Sequence, residues 1–156
     1  MATEIPTPRP NVMPAEARTI LLQADRLELF SLDPNSEDEI DDWEDLEKSL
    51  EKIRAGRFEW WTILGRTMVK DAAVRRRLAE ALLQGMEGTI DRARCFLPRH
   101  GIAATHAGKT IKLVICFQCA AFELYGLGDS QTLLVNHTPE AVFDEVLRAA
   151  GIPKAK

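Results

Sequence analysis

Two short runs hold the residue types in this sequence that could do chemistry. Cys95-Phe96-Leu97-Pro98-Arg99-His100-Gly101 and Ile115-Cys116-Phe117-Gln118-Cys119 together contain all three cysteines and one of the three histidines. Cys95, His100, Cys116 and Cys119 make a Cys3His set, the ligand chemistry of a tetrahedral zinc site. Cys116 and Cys119 have the spacing of a zinc knuckle, but residues three apart on an unbroken strand point to opposite faces. Both thiolates meet only if Phe117 and Gln118 turn the chain, and no glycine stands there to ease a turn. A redox pair of the same spacing is most reactive at a helix N-terminus. This one lies in β-favouring sequence. Cys95 as a nucleophile would need His100 or His106 as its base, and no nucleophile elbow accompanies it. Arg99 and His100, with Arg92 and Arg94 nearby, offer a site for a carboxylate or phosphate, because a guanidinium binds such groups in bidentate fashion.

Each of these has a plainer counterpart that outweighs it. Cysteines in apolar sequence act as small hydrophobic side chains, Arg99 can pair with an acidic helix, and His100 can hydrogen-bond its own turn. Phosphate loops, dinucleotide glycine fingerprints and paired metalloprotease histidines are missing from the sequence.

The elements that must position these residues follow from hydrophobic period and punctuation. Residues 1–13, with Pro6, Pro8 and Pro10, read as a disordered arm, and Pro14 opens a short helix. Residues 26–32 alternate polar and apolar as a strand does. Eight of the eleven residues from 37 to 47 are acidic, and Trp43, Leu46, Leu50 and Ile53 recur at helical spacing, which predicts a helix over about residues 41–55. That run lacks calcium-loop spacing and reads as a solvated helix start. A strand follows from Phe58 to Val69 with a bend at Gly65. Asp71 caps a helix with the stripe Val74, Leu78, Ala81 and Leu82, and Arg75, Arg76 and Arg77 fan around it as a solvated face.

The last third is strand-rich. A strand over 92–97, a break over 98–101, a strand over 102–105 and a hairpin turn at 106–109 are expected. Residues 110–125 make one central strand, or two joined by a bend, apolar on both faces. A short strand at 132–135 precedes a helix capped by Thr138 and Pro139, with Phe143, Val146, Leu147 and Ala150 buried. The order lacks regular strand–helix alternation. The fold class is therefore α+β, an antiparallel β-sheet of about five to six strands packed by three to four helices, with residues 14–156 as a single domain.

The runs at 24–34, Ile63-Leu64-Gly65, 95–101 and 115–119 resemble a set of uncharacterised bacterial proteins that carry the same blocks in the same order, a likeness covering about residues 24–153. The resemblance implies one bacterial domain and brings no activity, cofactor or partner with it. Gln118 stands where an acidic residue is expected in such proteins.

At 156 residues and 46% hydrophobic content the chain can bury one sizeable core. A net charge of -4 argues against nucleic acid as a partner. The sequence has neither a secretory signal nor an apolar run of membrane-spanning length, and an odd number of cysteines implies reduced thiols in a cytoplasm. The expected function is a non-enzymatic module that binds another protein through an acidic face or an exposed sheet edge, with Trp43, Trp60 and Trp61 as anchors. Zinc binding at Cys95, His100, Cys116 and Cys119 is the alternative, and a cysteine-dependent enzyme is the second.

Overall fold

A computed structural model describes residues 10–35, 46–47, 56–93 and 95–155. The helix expected over about 41–55 and the acidic run before it lie outside these residues except at 46–47, as does Trp43. The described elements are α1 (Ala15–Leu22), β1 (Arg26–Asp33), β2 (Arg57–Phe58), β3 (Trp61–Met68), α2 (Ala72–Gly85), β4 (His100–His106), β5 (Lys109–Cys116), β6 (Ala121–Tyr125), β7 (Gln131–Leu134) and α3 (Glu140–Ala149). The fold is α+β, as expected. Its strands form one antiparallel sheet in the order β2-β3-β1-β4-β5-β6-β7, seven where about five to six were expected.

The strand expected from Phe58 is divided by a turn, the stretch 110–125 takes the second of its two expected forms, two strands joined by a bend, and neither turn needs a glycine. Glu59, at φ 53°, separates β2 from β3. Ala120, at φ 57°, ends the turn between β5 and β6. A third expectation fails outright: residues 92, 93 and 95–97 form no strand, and β4 begins instead at His100, inside the expected break. The amides of Ala93 and Leu97 go to Cys119 and not to a ladder, and Pro98 has no amide to give.

The sheet is apolar on both faces. Leu27, Leu29, Ile102, Ala104, Ile111, Leu113, Ile115, Phe122 and Leu124 form one core with the buried faces of α1, α2 and α3. Asp71 caps α2 by accepting from the Ala73 amide at 2.8 Å, as its position predicts. Phe30, Leu32, Phe58 and Val114 form a smaller core on the opposite face, joined by half-buried Trp61, Ile63 and Phe96. Gly101 permits this second layer: a Cβ there would stand 2.7 Å from the Phe58 ring, which instead stacks on Phe30 at 4.2 Å.

Each sheet edge is only partly covered. β2 is two residues long. On β7 the Asn11 carboxamide takes the place of a neighbouring strand, donating to the Leu134 carbonyl at 2.9 Å and accepting from the Leu134 amide at 2.7 Å. The arm expected over residues 1–13 thus has its last residues docked on the body, with Met13 buried beside them. Of the exposed edge, one of the two expected binding surfaces, Asn11 covers Leu134, while β2 pairs only with Trp61 and Thr62, so that beyond Ile63 the outer side of β3 has no strand beside it among the described residues. Among the described residues no helix is long and apolar enough to cross a membrane.

Candidate functional site

The two runs that carry the chemistry do meet. Residues 117–120 fold into a turn that reverses the chain from β5 into β6. That turn brings Cys116 and Cys119 together as a disulfide, with Cα atoms 5.1 Å apart. The expectations that the two cysteines are reduced and point to opposite layers are both corrected here. Alternation fails because the strand ends at Cys116, and alanine supplies the left-handed residue that was sought in glycine. Both cysteines are buried, and each sulfur accepts an amide: the Cys119 amide donates to Cys116 Sγ at 3.1 Å, and the Leu97 amide donates to Cys119 Sγ at 3.4 Å.

The stretch from Ala93 to Leu97 is pinned to Cys119 at both ends, since the Ala93 amide also donates to the Cys119 carbonyl at 3.0 Å. Cys95 sits between these anchors and is exposed, a free thiol and not the small buried hydrophobe expected. Arg99 leans over the same turn, its Nη1 donating to Gln118 Oε1 at 2.9 Å. Beside the turn opens a groove lined by Asp91, Phe117, Gln118, Ala120, Asn136 and His137.

His100 takes a different course. Neighbours on a strand point to opposite faces, so while Arg99 stays at the surface, His100 enters the helix-side core at 1% exposure. The expected pairing of these two side chains at one ligand is not what the strand permits. The imidazole packs edge-on against Phe117 and Phe143, and its Nε2 lies 2.7 Å from Asp144 Oδ1 on α3. Burial pushes the Asp144 carboxyl upward, but bonds from His100 and Lys154 outweigh it and hold the group below the usual carboxylate range. An ionised carboxylate only accepts, so His100 Nε2 carries the proton. Lys154 Nζ closes the other side of Asp144 at 2.8 Å, and that bond raises the lysine above its ordinary value.

Ser31, on β1, is the register partner of His100 and shares its face. Its hydroxyl donates to the Pro153 carbonyl at 2.6 Å. Ile152 lies over Gly65, the register partner of Ser31 on β3, where a Cβ would come within 2.6 Å of it. Serine, histidine and aspartate are the residues of a hydrolase relay. Here, however, the serine hydroxyl is given to the C-terminal chain, the imidazole proton goes to the carboxylate, and Ser31 and His100 are buried. The row works as a lock that holds residues 152–154 across the sheet. Neither Ser31 nor Asp144 was anticipated, although a serine on the inward side of Leu27-x-Leu29-x-Ser31 is a legible sign of a buried polar contact.

The four residues of the expected zinc set are thus divided: Cys116 and Cys119 are bonded to each other, His100 is held by Asp144, and Cys95 faces solvent. Among the described residues no group of three or more such side chains is placed to hold a metal. His106, the other base considered for Cys95, lies at the opposite end of β4.

A third feature lies at the rim of the second core. Trp61 and Phe96 pack edge to face at 6.2 Å, joining β3 to the 95–99 stretch. Trp60 and Leu97, the chain neighbours of Trp61 and Phe96, are exposed by 74% and 38%, and Leu64, also on β3, by 40%. No family model, curated protein or solved structure matches the chain.

Proposed function

We propose that this chain is a non-enzymatic binding module of a bacterial cytoplasm, and that it docks a partner polypeptide carrying both apolar and basic residues on the rim formed by Trp60, Trp61, Leu64, Phe96 and Leu97. The observation that carries the reading is the exposure of Trp60 and Leu97, chain neighbours of the packed Trp61–Phe96 pair, together with that of Leu64 on β3. Exposed tryptophan at a rigid apolar patch is the composition of an interface hot spot. Its ring face also attracts lysine or arginine. The chain's net charge of -4 and the eight acids between residues 37 and 47 favour a basic partner over an acidic one. Face docking is preferred to edge pairing in this reading, because the large apolar side chains Trp60, Leu64 and Leu97 are exposed and Asn11 occupies Leu134 of β7.

The test uses two fluorescent twelve-residue peptides, one alternating leucine with lysine and one alternating leucine with glutamate. Polarisation should show the basic peptide binding the full chain, the acidic one failing to bind, and Trp60→Ala weakening the basic peptide at least tenfold. Equal binding of both peptides, or an unaffected Trp60→Ala variant, defeats the proposal. So does a homodimer in sedimentation that Trp60→Ala dissolves, which would make a second copy the occupant.

Zinc at Cys95, His100, Cys116 and Cys119 is the alternative. It requires the disulfide to open and His100 to leave Asp144. Elemental analysis of reduced full-length protein decides it: near one equivalent supports zinc, and less than about a tenth of an equivalent removes it.

A further inference from the structure

We propose that Cys95, Cys116 and Cys119 form a thiol–disulfide exchange site in which Cys95 passes electrons between a small thiol in solution and the buried Cys116–Cys119 disulfide. The disulfide itself is out of reach of solvent, with both cysteines 1% exposed. Cys95 is exposed, and it belongs to the one stretch that is hydrogen-bonded to Cys119 at both ends. Cys95 lies two positions along the chain from each anchor, a reach of about 7 Å of extended chain. The described residues of the stretch, 93 and 95–97, lie in no ladder or helix, so the thiol needs only local movement to approach Cys119.

The surroundings suit exchange better than stapling. A disulfide across three residues closes a very short loop and removes little chain entropy from the unfolded state, because that entropy grows with the logarithm of loop length. Each sulfur also has an amide donor, the arrangement that stabilises a thiolate, and the Arg99 guanidinium bonds Gln118 between the two cysteines.

The chemistry balances without an external oxidant. The Cys95 thiolate attacks Cys119 Sγ, and a Cys95–Cys119 bond forms. The old bond breaks, and Cys116 leaves with its electron pair, stabilised by the Cys119 amide, then takes a proton from water. A small thiol, as thiolate, attacks Cys95 and releases Cys119. A second thiol then attacks the mixed disulfide on Cys95, leaving as the small-molecule disulfide and restoring the Cys95 thiol. Two thiols are oxidised to one disulfide, and Cys116–Cys119 is reduced to two thiols.

Glutathione is the probe, acting on the oxidised full-length protein, with free thiols counted by alkylation and peptide mass spectrometry. Cys95→Ser, a surface change, should slow reduction of Cys116–Cys119 at least fivefold, and Cys116→Ser should trap a Cys95–Cys119 bond on exposure to oxidised glutathione. A smaller effect of Cys95→Ser overturns the proposal whatever the second variant does, as does wild-type protein that carries three free thiols after air oxidation. A folded Cys116→Ser protein, verified by its circular dichroism, that leaves Cys95 and Cys119 unlinked overturns it too.

Discussion

Asp144 concentrates the energetics of the buried polar row, because one carboxylate serves a buried imidazole on one side and a surface lysine on the other. Asp144→Ala leaves the His100 donor without a partner in the core, and such a change costs about 1–3 kcal/mol. Asp144→Asn keeps an acceptor and should lose less. The carboxyl is depressed in the folded state, so its contribution is present above the ordinary carboxylate value and lost as pH falls through the folded one. Lys154 is raised, so its contribution is complete below the ordinary lysine value and lost as pH rises through the folded one. Denaturant midpoints across the pH range should therefore show wild type losing stability on both limbs. Asp144→Asn should flatten both, and Lys154→Ala the alkaline limb and, in part, the acid limb, since Lys154 helps to hold Asp144 down, by an amount near that of a surface pair, about 0.5 kcal/mol. Ala120 gives a second test at this scale. Its φ of 57° is costly for a residue with a Cβ, and Ala120→Gly should raise stability by about 0.5–1 kcal/mol in the same assay.

Asn11 does for an element what Asp144 does for a residue. Its carboxamide serves both outward-facing backbone groups of Leu134 and also donates to the Met86 carbonyl at 3.1 Å, so it ties the N-terminal arm, the sheet edge and the end of α2 together. Asn11→Ala should cost about 1–3 kcal/mol and open β7 to strand pairing, visible as concentration-dependent association in light scattering. A variant as monomeric and as stable as wild type would show that the edge needs no cover. No hydrophobic period marks such a role for a single asparagine in a proline-rich arm, which is why residues 10–13 read as disordered. The amphipathic helices and the alternating strand at 26–32 were legible because their side chains repeat with the period of the structure that buries them. A bend within 110–125 was legible, but its place at 117–120 and the turn at Glu59 were not, because glycine is the residue that signals left-handed backbone and here glutamate and alanine adopt it. The disulfide was hidden by the same error, since strand alternation carried through Phe117 and Gln118 sends its two thiols apart. His100 was legible as a residue of interest, but its partner Asp144 comes from an element forty-four residues away in sequence, a contact that no local pattern reports.

At the scale of the whole molecule, charge and shape act on different halves of the proposed binding reaction. The apolar rim around Trp61 and Phe96 is short-ranged and holds a partner once docked, so its loss should appear in the dissociation rate. The net charge of -4 acts over a distance and gathers a basic partner, so it should appear in the association rate. Salt separates the two, because the screening length falls from about 10 Å at 0.1 M to about 3 Å at 1 M while apolar contact is not screened. Stopped-flow binding of the leucine–lysine peptide should show association slowing at least threefold across that range with little change in dissociation. Trp60→Ala should do the reverse at either salt, raising dissociation about tenfold and leaving association near the wild-type value. Association that is indifferent to salt would remove the electrostatic argument for a basic partner and leave the rim as an apolar contact without preference for charge.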